Sequence, residues 1–471
     1  MAGRGVAASP LCEVASCVPH PAKLFLMATP HRPQGNGPDS DTPVDLIVIG
    51  AGAAGLATAI FAARASSYRI VCLDSARRIG AKILISGGSR CNVTNRVVTE
   101  RDFWGGSTRF VRSVLRAFPE TRAVEFFSEL GVTLHEEEDG KLFPDSNTSR
   151  TVLSALLKET DRLGITLTTG ERVTAIAREN AFFLTTTDAG RTIRSHAVAL
   201  CTGGRSLPKT GSDGFGYELA QRFGHHCVAT IPALAPLLFE GWTNLAGVSH
   251  PAALTLRVDG RTAVSLTGPF LWTHFGASGP VALNLSRHWH RANEEGRQCE
   301  VSINICPGQT FEGLDAWLRA QERDRPRAHV ATVVGTRVPV AVAERWVESA
   351  GVPLDLTMAH LTRDQRHAVV RALLDTSVPV RGSRGFGYAE VTAGGVALDE
   401  VDPATMESRV CPGLFLAGEI LDVDGRLGGF NFQWAWSSAW VAAQAIARAQ
   451  IVGRVPRRTR LTGAEPATEP E

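Results

Sequence analysis

The stretch DLIVIGAGAAGLATAI (residues 45–60), continued by CLDSARRIG (72–80) and GAKILISGGSRCNVTN (80–95), decides the fold. Asp45 to Ile49 reads as an apolar strand, Gly50, Gly52 and Gly55 stand in G-x-G-x-x-G spacing, and an Ala-rich helix follows. This is the order that a dinucleotide-binding β-α-β unit needs. Gly50 permits the tight turn, Gly52 leaves room for a pyrophosphate against the backbone, and Gly55 lets helix and strand pack closely. The helix N-terminus then offers unpaired N–H groups to the phosphates. A second strand, Arg69 to Leu73, ends at Asp74, nineteen residues after Gly55, where a carboxylate accepts hydrogen bonds from ribose hydroxyls. An acid at that place favours FAD or NAD over a 2′-phosphorylated cofactor.

Around this core the chain has room for two or three domains: it is 471 residues long, 44% hydrophobic, and carries no apolar run long enough to span a membrane. A formal net charge of +2 sets up no strong global field toward nucleic acid or lipid, though local basic patches remain open. Only five of the 49 basic residues are Lys, a bias attributed to genome composition before any grip on phosphate. Nine cysteines, an odd number with no C-x-x-C pair, suggest neither a zinc site nor a disulfide framework and fit a reducing cytoplasm. Cys72 and Cys201 sit in apolar strand patterns and are expected to be small core residues.

Residues 1–41, rich in Pro, Gly, Ser and Ala, are expected to be disordered, with Met27 an alternative start, and a flexible tail is expected over 454–471. Between them the pattern is α/β. The FAD-binding, Rossmann-like part is expected to be discontinuous, over 42–234 and 385–453, interrupted by a β-rich insert (235–309) and a small helical piece (310–384). Within the first part, helical spacing covers Phe103 to Leu130, a β-excursion Val132 to Phe143, and a further helix Ser149 to Leu163. The insert alternates apolar and polar residues in short runs between Gly and Pro, as in LTLRVDG and VSINICPG, the signature of antiparallel β structure. A long helix is expected over Trp434 to Ala449.

Three further segments bring glycine-rich backbone to strand ends. Residues 80–95 combine Lys82, Ser86, Gly87, Gly88, Arg90, Cys91 and Asn92 in the region where a pyrophosphate and ribityl chain would pass. An apolar strand runs into Thr202, Gly203 and Gly204. Another ends in Gly418 and Glu419, with Asp422 beyond, and then Gly428, Gly429, Phe430 and Asn431 open a helix whose N-terminus can stabilise charge on a reduced flavin. Three such ends on one sheet edge describe an extended dinucleotide site. With Ala53, Ala54 and Val173 they complete the candidate FAD contacts. No metal site is indicated.

The segments KILISGGSRCNVTN, TGGRSLPKTGSDGFGYELAQRFGH, GPFLWTHFGASGPVALNLS and VTAGGV…FLAGEILDVDGRLGGFNFQWAWSS resemble the BaiN/RdsA-like flavoproteins over residues 44–450. A third Gly usually stands where this chain has Ser89, and Tyr often where it has Phe430. The resemblance implies a three-part architecture with bound FAD, and reduction of an activated C=C bond. The substrates it implies are a uridine of 23S ribosomal RNA, giving dihydrouridine, or a bile-acid-like enone. It points to partners that are a small molecule or ribosomal RNA and not a membrane. No second G-x-G-x-x-G occurs, so NAD(P)H would dock transiently at the flavin or another donor would serve.

Such a reduction needs a hydride from the flavin and a proton from an acid on the other carbon. Candidate catalytic groups are Cys91, Lys209 and His274, the last drawn from the family pattern; each is also readable as a structural residue. A flavin oxidase or monooxygenase acting on a small amine or aromatic, and a non-catalytic FAD-binding protein, use the same fold.

Overall fold

A computed structural model describes residues 42–449. The N-terminal segment with its alternative start, Cys12 and Cys17, and the basic-then-acidic tail lie outside the described residues.

Strand Val44–Ile49, fully buried along its length, hydrogen-bonds in parallel to Ile70–Asp74 on one side and to Thr192–Leu200 on the other. Thr166–Thr169 extends the parallel set beyond Ile70–Asp74, and Leu414–Leu416 joins the last three residues of Thr192–Leu200. The other half of Thr192–Leu200 pairs antiparallel with Phe182–Thr187, which turns back into Val173–Glu179. Parallel strands read as continuous apolar runs because both faces are covered. One cover is the helix Ala53–Ala65, and on it lies the C-terminal helix Phe430–Arg448. The facing residues are small, including Ala54, Ala57, Ala435 and Ala439, so the two axes approach closely. Cys72 and Cys201 are buried in this core.

The chain leaves through Cys227–Ala233 and returns through Val391–Val396, and these two strands pair antiparallel. Between them lies a second, seven-stranded antiparallel sheet with a hydrophobic core of its own. Its central hairpin, Ser249–Val258 with Arg261–Thr273, turns on Asp259 and Gly260, both at positive φ, the chemistry that a two-residue hairpin demands. Helices Phe311–Asp324, Val330–Val334, Val340–Ser349 and Arg363–Leu374 share that core, where Trp242, Trp272 and Trp346 contact one another.

Three expectations are corrected. Within the β-rich insert, part of the stretch read as strands, Pro280–Glu294, is a helix, set by Pro at its first turn and by Val281, Ala282, Leu285, Trp289 and Ala292 at helical spacing. The helical spacing over 103–130 begins with a short strand, Phe103–Gly105, and then splits into Thr108–Ala117 and Glu120–Glu129, because Pro119 cannot continue the first helix. The C-terminal helix starts four residues earlier than its apolar pattern suggests, at Phe430, capped by Gly429 at φ 91°. Among the described residues no helix is long and apolar enough to cross a membrane.

Candidate functional site: a cofactor-sized cavity at the sheet edge

A cavity of about 630 Å³ runs along the C-terminal ends of the parallel strands, a volume within the usual range for cofactor sites. Its floor is the first glycine turn. Gly50 takes φ 97°, and a Cβ on Gly55 would lie 1.7 Å from the Gly50 carbonyl oxygen, so Gly55 is a packing requirement. Gly52 differs: a Cβ there would meet nothing within 4 Å, because the position faces the cavity. Gly52 caps the Ala53–Ala65 helix without a side-chain hydrogen bond, leaving the N–H groups of the first turn beside Ala53 and Ala54 on the cavity wall.

Asp74 stands at the end of the second strand and lines the cavity. Its carboxylate accepts from the backbone N–H of Ala51 at 2.6 Å and of Ala76 at 2.7 Å. Burial pushes this carboxyl up, and the two N–H groups pull it back. Farther along the same end the wall is Glu171, Arg172 and Val173, with Arg172 stacked over Phe215 at 4.7 Å.

The GGSRCN segment is a helix end that unwinds. Ala81–Ser89 is helical only as far as Ile85; Ser86 is extended, and Gly87, Gly88, Ser89 and Cys91 then take positive φ. Gly87, Gly88, Arg90 and Asn92 line the cavity. A Cβ on Gly88 would meet nothing, so the backbone there is open to a ligand. Arg90 stacks over Phe143 at 4.1 Å and pairs with Glu137 at 2.5 Å, tying the segment to the β-excursion.

Lys82 and Ser86 also line this wall. The Lys82 ammonium donates to Glu419 at 2.5 Å and to Ser206 at 2.5 Å, and Glu419 accepts in addition from Ser206 and from the backbone N–H of Thr392. At the far end, Gly428, Gly429 and Asn431 form the wall, and the Asn431 amide is locked by two hydrogen bonds to the Gly425 backbone. Two buried polar atoms on this wall have no partner within the protein: the Asn92 carboxamide oxygen and the Thr202 hydroxyl. Buried polar atoms are ordinarily paired, so these two stand out beside the cavity. Backbone N–H groups at the helix N-terminus, an acid ending the second strand and glycine-lined walls farther along fit an FAD.

Not every expected contact reaches the cavity. Gly203 lines it, whereas Gly204 packs against Thr392 and Glu419 behind the wall. Gly418 lies against Ala54, and Phe430 is buried under Arg426. Asp422 faces a side pocket with Trp104 and Arg291. Of the candidate catalytic groups, Cys91 is fully buried beneath the wall, where desolvation pushes its thiol up to about 12. His274 and Lys209 are exposed and outside the cavity lining. Sequence reasoning missed Lys141, Tyr388 and Glu390, which do line it. The wall around the Glu390 carboxyl desolvates and raises it, although the residue as a whole is exposed. The signal for Tyr388 was present: RGSRGFGY interleaves arginine, glycine and aromatics, and the chain has only three Tyr.

The model of the family described as HI0933-like protein Rossmann domain matches residues 44–445. The ribosomal RNA dihydrouridine synthase of Escherichia coli is 33% identical over 411 residues, covering 86% of this chain and 98% of the relative. The 3-dehydro-bile acid delta(4,6)-reductase of Clostridium scindens is 32% identical over 85% of this chain and 98% of its own length. A ribosomal RNA dihydrouridine synthase of Haemophilus influenzae is similar at 32% over the same shares.

Proposed function

The chain belongs to the HI0933-like family, and from that premise we propose that this FAD-dependent oxidoreductase reduces a C=C bond conjugated to a carbonyl. The cofactor part of the reading is carried by the extended cavity, which suits a whole dinucleotide better than a mononucleotide, and the reaction is supported by the relatives named for C=C reductions. Bound and reduced, the FAD supplies a hydride to one carbon of the double bond. The N-terminus of Ala53–Ala65 would hold the pyrophosphate and Asp74 the ribose, and the N-terminus of Phe430–Arg448, whose Gly429 and Asn431 line the cavity, would lend its positive dipole to a reduced flavin. A proton must reach the second carbon, and Glu390 and Lys141 are ionisable side chains on the cavity wall able to deliver it. Returning the flavin to its reduced form would take two electrons from a reduced nicotinamide docking transiently or from another two-electron donor.

Uracil in ribosomal RNA and a steroid enone share the conjugated C=C unit, and relatives named for each stand at nearly equal identity. We place uridine first. Mass spectrometry of ribosomal RNA from a strain lacking the gene tests the choice: loss of one dihydrouridine is the expected result. An unchanged nucleoside profile would transfer the reading to a small enone.

A further inference from the structure

The segment Arg381 to Tyr388 is pinned through its backbone, with Ser383, Arg384 and Phe386 half-buried and Arg381 and Tyr388 exposed. The N–H groups of Arg381 and Arg384 donate to the carbonyls of Leu238 and Pro236 in the insert, and the Phe386 carbonyl accepts from Leu207 on the other side of the cavity mouth. The Ser383 hydroxyl links the His290 ring at 2.7 Å with the N–H of Gly385 at 3.1 Å. A loop pinned at both ends in this way has no need of an exposed aromatic for its own stability, yet it carries Tyr388 beside the half-buried Phe386. Tyr388 is 52% exposed and lines the cavity; Ile85, at 46%, is the other large apolar side chain among the described residues that does both.

Each aromatic is paired with a guanidinium. Arg384 lies 3.3 Å from the centre of the Tyr388 ring and 4.7 Å from that of Phe275, and Arg205 lies 4.6 Å from that of Phe386. Among the described residues neither guanidinium has a carboxylate partner, whereas the neighbouring Arg381 is paired with Glu240. Lys209 and His274, which do not reach the cavity, stand exposed on segments that touch the same loop through Leu207 and Phe275. Glu390 is the acid on the cavity side.

We propose that this rim docks single-stranded RNA, with a nucleobase stacked on the free face of Tyr388 and the flanking phosphates held by Arg384 and Arg205. Aromatic rings beside unpaired arginines at the edge of a reducing cavity match that chemistry: every base has a π-face, and every step of the strand carries one negative charge. A steroid would use the rings and leave both charges idle. The proposal rests on the reductase reading for its purpose, but not for its test.

The test is fluorescence anisotropy of the full-length protein with a labelled oligouridylate of about twelve nucleotides, across a salt series. Tyr388→Ala is expected to weaken binding about tenfold, and Tyr388→Phe to stay within about twofold, since stacking needs the ring alone. Arg384→Ala and Arg205→Ala should each flatten the slope of log K against log salt by about 0.7. Thermal unfolding of each variant reads the fold independently. Wild-type affinity in all three alanine variants, or equal binding of polyglutamate and oligouridylate, would overturn the rim. If the reduced protein leaves uridine in RNA untouched while Tyr388→Ala still weakens the oligouridylate, the reductase reading fails and the rim stands. Reduction of RNA with binding indifferent to these residues means the reverse.

Discussion

Lys82 and Glu419, 337 residues apart in the chain, meet at 2.5 Å on the cavity wall and join its first glycine-rich edge to its last. The second oxygen of Glu419 accepts from Ser206 at 2.8 Å and from the Thr392 N–H at 2.9 Å, so one carboxylate ties together four segments of the discontinuous domain. Glu419→Ala leaves an ammonium, a hydroxyl and a backbone N–H without their acceptor. It is expected to cost about 1–3 kcal/mol in urea unfolding, and Glu419→Gln less, because one oxygen survives. Equal stability of the alanine variant and wild type would show that the carboxylate serves only a ligand.

Gly52 and Gly55 sit three residues apart and answer to different demands. A Cβ on Gly55 collides with the Gly50 carbonyl, so Gly55→Ala should fold poorly, seen as a lowered unfolding midpoint with or without cofactor. A Cβ on Gly52 meets only the cavity, so Gly52→Val should unfold like the wild-type apoprotein while failing to retain FAD. Full cofactor occupancy in Gly52→Val would contradict the pyrophosphate assignment.

Ser89 holds φ 68°, a left-handed conformation that favours glycine, at the position where the resembling family has a third Gly. Ser89→Gly is therefore expected to stabilise the protein by about 0.5–1 kcal/mol in chemical denaturation, and Ser89→Val to destabilise it by more than that. A neutral or harmful glycine would mean that the Ser89 side chain contributes something the backbone argument omits.

His288 packs edge-on against Trp104 at 4.9 Å with its Nε2 buried and unpartnered, and burial, helped by Arg287, lowers its pKa to about 4. His290 is lowered to about 4 by burial as well. Below the ordinary imidazole value near 6.5 the unfolded chain binds protons that these folded rings refuse, so stability falls as pH drops from there toward 4. Across that whole window each ring should account for a loss of roughly 3 kcal/mol. His288→Phe should flatten the decline in unfolding free energy over the same range; an unchanged slope would remove His288 as a cause.

The cofactor end of this fold was legible because its requirements are local. A turn that must take φ 97° at Gly50, a helix that must pack against it, and an acid ending the next strand all fall within thirty residues. The helix Pro280–Glu294 was hidden for a different reason: its first-turn Pro and helical spacing follow directly on a run of short β segments, whose alternation dominated the reading of the whole stretch. Side-chain direction was equally out of reach. Glu419 and Asp422 are three residues apart and look equivalent as acids, yet one faces the cavity and the other a side pocket, since the chain turns between them. His274 and Lys209 lie in glycine-rich surroundings that suggest chemistry, and both stand outside the cavity.

The most direct measurement is the flavin content of the purified protein. The cavity, its dipole and its glycine-lined walls predict a yellow protein that releases FAD, at about one per chain, on denaturation. A colourless protein that takes up no FAD on reconstitution would contradict the account at its centre.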